Sequence, residues 1–210
     1  MLPLSFAVVP WGFLAGSFAV DSGLMPLEGQ AMSAILFAGS AQLVAMGMIK
    51  AGASLATMMV TIFFITSRHL LYSLTMRRHI APLSLPWRIT LGFLLTDELF
   101  ALCGHQKPER FKPWYALGAG ASFYLIWNIA TLVGIVVGGQ VPNLQQYGLE
   151  FAVAATFIAI VVPNIKTMAS LLAAVSALIS AVFFAYCQVE SSLVFSSLIG
   201  MTVGYVSGEK

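Results

Sequence analysis

Charge is scarce in this chain. Only 9% of its 210 residues are Asp, Glu, Lys or Arg, whereas soluble domains carry about 25%. With 59% hydrophobic residues and a mean hydropathy of +0.91, that scarcity excludes a soluble fold. Cysteine is nearly absent. Cys103 and Cys187 make no metal or redox motif, and both are expected to be small buried hydrophobes. No Lys or Arg precedes Lys50, so the apolar start lacks the positive region of a secretory signal and is expected to be a helix. Also missing are a Gly-x-Ser-x-Gly hydrolase signature, a Gly-rich Lys-Ser/Thr loop for ATP and a Cys/His ligand cluster. The expectation is a protein that is no enzyme and holds no cofactor or metal. A net charge of +2 says nothing in favour of nucleic acid.

What is present is a series of long apolar runs. A bilayer core of ~30 Å takes about 20 apolar residues per helix, and a β-barrel would show short alternating strands instead. The fold class is an all-α polytopic membrane protein of about seven to eight hydrophobic segments, some broken or re-entrant. The segments are 2–20, 31–49, 53–74, 89–103, 114–138, 149–162, 167–186 and 191–206, forming one membrane domain over 1–210. A polar turn is expected at Asp21 to Gln30. Gly12 and Gly16 give the first segment a face for close helix contact. Trp87 and Trp114 read as interfacial anchors.

Basic residues cluster on cytoplasmic loops, yet both flanks of segment 89–103 are basic: Arg77, Arg78 and Arg88 before it, Lys107, Arg110 and Lys112 after it. That segment is short and carries Asp97 and Glu98, so it is expected to re-enter rather than cross. The offset that carries Glu28 to Glu150 also carries Gly12 to Gly134, Gly16 to Gly138 and Gln42 to Asn164. This weak echo raises two repeats of inverted topology, about 2–75 and 114–206, joined by the acidic segment.

The candidate site begins where the second segment stops being bulky. Phe37, Ala38, Gly39, Ser40 and Gln42 put small and polar residues at bilayer depth, where every polar group must be satisfied inside the protein. One reading is an unwound stretch whose freed backbone groups bind a small polar ligand, with Pro163 and Asn164 as the equivalent break. The other is a tight packing face, for which Ala38, Gly39 and Ala41 would serve. Asp97 and Glu98 are either a proton or cation relay or a grip on a substrate ammonium, or else wetted acids capping a half-helix. Arg68 stands early enough in its segment to reach Asp97, or snorkels to the surface. His69 is a candidate for proton or ion coupling, though a lone His is more often a structural hydrogen-bonder. Asn128, beside Trp127, reads as a polar link between helices.

Three motifs recur together: Phe37-Ala38-Gly39-Ser40-Ala41-Gln42, Arg68-His69-Leu70-Leu71-Tyr72 and Thr96-Asp97-Glu98-Leu99-Phe100-Ala101. In order and spacing they resemble the AzlC family, the large subunits of bacterial branched-chain amino acid exporters, over nearly the whole chain. The resemblance implies export of hydrophobic, valine-like amino acids from the bacterial inner membrane, in complex with a small AzlD-type membrane subunit. It departs from the family in its short polar start before Pro3 and in Thr66-Ser67 ahead of Arg68. The alternatives are a permease for another small zwitterion or organic acid, and a scaffold or regulatory subunit whose partner carries the path.

Overall fold

The computed structural model describes residues 8–104, 106–141, 151, 155, 158, 162, 165–189 and 192–208. Among them are ten α-helices and no strand. We number them α1 Val9–Asp21, α2 Pro26–Ala31, α3 Gly39–Lys50, α4 Leu55–Thr66, α5 Arg68–Ile80, α6 Leu85–Phe93, α7 Asp97–Cys103, α8 Pro113–Gln140, α9 Met168–Tyr186 and α10 Ser192–Gly208. A π-helical turn, Met32–Leu36, extends α2. Three stretches are long and apolar enough to cross a membrane: Leu55–Ile80, Pro113–Gln140 and Met168–Tyr186. The chain is a helical membrane protein.

The chain forms two compact units, one of residues 1–50 and 65–149, the other of 51–64 and 150–210. In the first, α8 is the mast. Pro113 starts it in the first turn, where a missing N–H costs nothing, and its 28 residues reach ~42 Å at 1.5 Å per residue. Helix α1 crosses α8 almost backbone to backbone. A Cβ at Gly16 would overlap the Thr131 carbonyl, and one at Gly134 the Phe13 carbonyl. Gly12 faces Ala130, and the Ser17 hydroxyl donates to the Gly134 carbonyl at 3.1 Å. The glycine face does what its spacing suggests: it lets two helices touch without side chains between them.

The expected polar turn from Asp21 to Gln30 is shorter in the structure, because Pro26 opens α2. Glu28 accepts the Met25 backbone N–H at 2.9 Å, which caps that helix and draws residues 26–31 into it. At the far end of α3, Lys50 Nζ meets Asp21 Oδ2 at 2.9 Å, an ion pair whose Asp side chain is 2% exposed.

In the second unit, α9 and α10 pack as a helical pair. Gly200, Gly204 and Gly208 lie against Ala177, Ala173 and Ala169 respectively. No residue of α9 is buried, as suits a helix whose other faces meet lipid. Thr167 caps α9 by accepting the Ser170 N–H at 3.1 Å. Cys103 is buried as expected, but Cys187 is exposed, because it stands at the C-cap of α9 beyond its packed length.

Candidate functional site

Two helices in the first unit, α3 and α7, begin immediately after a break, and a third, α5, continues from α4 at Ser67. The π-turn ends at Phe37, whose backbone is left-handed (φ 44°, ψ 45°), and α3 starts two residues later at Gly39. Helix α6 ends at Phe93, and α7 starts at Asp97 after Leu94, Leu95 and Thr96. Ser67, itself in helical conformation (φ −55°, ψ −28°), joins α4 to α5, which starts at Arg68.

The first break has a physical cause. A left-handed non-glycine costs roughly 1–3 kcal/mol, and packing offsets it here. The Phe37 ring is 5% exposed and lies against Phe93, Phe123 and Tyr124, with centroids 6.2, 5.9 and 4.9 Å away. Tyr124 donates its hydroxyl to the Ala34 carbonyl in the π-turn at 3.0 Å. Gly39 is needed on the other side: a Cβ there would stand 2.8 Å from the Trp127 ring. Unwinding and tight packing, read from the sequence as alternatives, occur together at this point.

Arg68 joins the three helix starts. Its Nη2 donates to Ser40 Oγ at 2.9 Å and lies 2.9 Å from Asp97 Oδ2. Tyr72, one turn along α5, donates its hydroxyl to Asp97 Oδ1 at 2.6 Å, and its ring stacks on Phe100 at 4.3 Å. Asp97 thus has a donor on each oxygen and sits in the first turn of a helix, where the dipole favours negative charge. Both partners are only half-buried, with side chains 32% and 42% exposed. Such a pair is accessible to solvent. Glu98 is half-buried in the same first turn of α7. His69 turns elsewhere: its Nδ1 meets the Thr66 carbonyl at 3.1 Å, and its ring is edge-on to Tyr72.

A second polar group lies deeper. Gln42, 1% exposed, donates from Nε2 to Ser33 Oγ at 2.8 Å across the break. Ser33 also receives Trp127 Nε1–H at 3.1 Å and contacts Thr131 Oγ1 at 2.9 Å. Thr131 in turn donates to the Trp127 carbonyl at 2.9 Å. Gln30 Nε2 donates to Asn128 Oδ1 at 3.0 Å, so Asn128 is the interhelical link that its position suggests.

The structure therefore brings Ser40, Arg68 and Asp97 together and places Phe37, Gly39 and Gln42 around Trp127 and α8. Ala38, half-buried, completes the break. Pro163 and Asn164 lie outside the described residues. Ser33 and Thr131 are site residues that the sequence did not single out, while Tyr72, in the second motif, and Trp127, beside Asn128, were named without a role. Trp127 stands one residue from Asn128, so one buried tryptophan among α8's small residues was the available signal.

Broken helices around a half-buried ion pair define a membrane protein of the transporter type. The chain belongs to the AzlC family: the family's model, described as AzlC protein, matches residues 3–141, a range that holds both breaks, Arg68, Asp97 and α8. It is similar to the "Inner membrane protein YgaZ" of Escherichia coli (strain K12), 29% identical over 179 residues, covering 81% of this chain and 72% of that protein. An "Uncharacterized membrane protein" of Archaeoglobus fulgidus is 28% identical over 167 residues, 78% of this chain and 72% of its own. Another from Helicobacter pylori (strain ATCC 700392 / 26695) is 27% identical over 158 residues, 74% and 68% respectively. No solved structure matches the chain.

Proposed function

We propose that this chain is the large subunit of a secondary exporter for branched-chain or other hydrophobic amino acids in the bacterial inner membrane. Its substrate binds at the break from Phe37 to Gln42. A proton arriving on Asp97 releases Arg68 and its departure re-forms the pair, coupling export to the gradient, and a small AzlD-type membrane subunit completes the complex. The observation that carries this reading is the position of Arg68, held between Ser40 at the break and Asp97.

The chemistry suits the job. By helix geometry the N–H groups of Gly39, Ser40 and Ala41 have no partner within α3, and together with Arg68 they form a positive end for a carboxylate. Phe37 and its aromatic neighbours supply the apolar wall for an alkyl side chain. One proton entering down 100 mV supplies ~2.3 kcal/mol, and a tenfold uphill gradient costs ~1.4 kcal/mol. One proton per substrate is enough for modest gradients.

Substitution tests this against a scaffold role. Asp97→Asn, assembled normally with its partner subunit, should lose most valine transport in vesicles. Undiminished transport in that variant would place the path in the partner.

A further inference from the structure

The hydroxyls around Ser33 settle which way the Gln42 amide points. Four contacts compete for few protons. Trp127 Nε1–H has one proton and Ser33 Oγ accepts it. The Trp127 carbonyl only accepts, so the Thr131 proton goes there. The 2.9 Å contact between Ser33 and Thr131 then needs the Ser33 proton. That leaves Ser33 Oγ as an acceptor toward Gln42, so the amide must present Nε2 to it. No other assignment satisfies all four contacts. The amide oxygen is consequently turned away from Ser33.

That oxygen, Gln42 Oε1, is buried and has no hydrogen-bond partner among the described residues. A desolvated carbonyl left unmatched is costly, and the relay keeps it from flipping to find another partner. It stands at the break itself, since Gln42 belongs to α3 and its amide touches Ser33 on the π-turn side. Arg68 Nε is likewise buried and without a partner among the described residues. The break thus offers one unmatched acceptor and one unmatched donor, the complement of a zwitterion.

We propose that Gln42 Oε1 accepts a hydrogen bond from the ammonium group of the transported amino acid. Ser33, Thr131 and Trp127 are positioning residues that lock the amide in that orientation. This rests on the amino-acid reading above and deepens it. The locked oxygen selects a primary ammonium and disfavours organic acids of the same shape. Thr131 acts without touching the ligand. In Thr131→Val the Ser33 proton loses its acceptor and turns to Gln42, the amide flips, and an N–H faces the substrate instead.

The test is a binding comparison on the purified full chain with its partner subunit, using valine and isovalerate, which has the same alkyl group and carboxylate but no amine. The wild type should prefer valine by about tenfold to a hundredfold, the range of one charge-assisted hydrogen bond. Thr131→Val and Gln42→Leu should lose most of that preference while retaining isovalerate binding, which reports an intact fold. Gln42→Glu, which keeps an acceptor, should retain it. An unchanged valine-to-isovalerate ratio in Thr131→Val and Gln42→Leu, or a lost ratio in Gln42→Glu, would overturn the assignment while leaving an amino acid transporter. Failure of the wild type to bind valine would overturn both.

Discussion

Arg68 Nη2 lies 2.9 Å from Asp97 Oδ2, the first residue of α7 after the break at Leu94 to Thr96. The pairing ties the long stretch Leu55–Ile80 to the start of a broken segment. The same nitrogen also reaches Ser40 in the first turn of a third helix. A change in this one ion pair is felt at all three helix starts.

Removing one partner should therefore cost stability as well as activity. Arg68→Ala leaves a half-buried carboxylate with Tyr72 as its remaining donor among the described residues. An uncompensated buried charge costs about 3–5 kcal/mol, and partial exposure reduces this to roughly 1–3 kcal/mol. Arg68→Lys restores charge but not the guanidinium reach and fixed N–H directions with which Nη2 donates to Ser40 and Asp97 together. Thermal unfolding in detergent should rank wild type above Arg68→Lys, and Arg68→Lys above Arg68→Ala.

Gly39 should not accept a side chain. Its Cβ would press within 2.8 Å of the Trp127 ring, whereas a Cβ at Gly47 on the same helix meets nothing closer than 3.9 Å. Gly39→Ala is expected to cost about 1–3 kcal/mol by overpacking, and Gly47→Ala to be neutral or stabilising. Equal melting temperatures for the two variants would show that the ring gives way freely.

The α1–α8 crossing gives a similar contrast. Gly16→Leu must separate the two backbones and should abolish stable expression. Gly118→Ala, with nothing within 4 Å of the new Cβ, should gain up to ~1 kcal/mol from helix propensity. Detergent-soluble yield and unfolding temperature read both.

How much of this was legible follows from what each feature depends on. The break at Phe37 to Ser40 shows in sequence because small residues and a polar side chain interrupt an otherwise apolar run there. The pairing of Arg68 with Asp97 was legible as a reach along one segment, since acids in lipid need a counter-charge. The Ser33–Thr131–Trp127 relay was not. Serine and threonine bond their own helix backbone as readily as a neighbouring helix, so their role depends on which helices meet. The start of α2 was missed for a local reason: Pro26 and Glu28 resemble a turn until the capping bond from Met25 is seen. Cys187 was misplaced although the segment's end at Tyr186 was read correctly, because at the helix C-cap it has no packed neighbour among the described residues to bury it.

The Lys50–Asp21 pair makes a further prediction, free of any transport role. Lys50→Met leaves Asp21, with its side chain 2% exposed, as an unpaired buried acid and should cost about 3–5 kcal/mol. The double variant Lys50→Met with Asp21→Leu should recover most of that loss. Unfolding of the single and double variants checks it, and a double variant no better than the single would contradict it.

The central claim, amino acid export coupled to a proton through Asp97, is tested most directly in sealed vesicles holding the chain and its small partner subunit. Loaded with radiolabelled valine, they should release it faster when a pH gradient is imposed than without one. Asp97→Asn should abolish the acceleration. Valine release that ignores both the gradient and the substitution would contradict the coupling, and no valine movement under any condition would contradict the transport assignment itself.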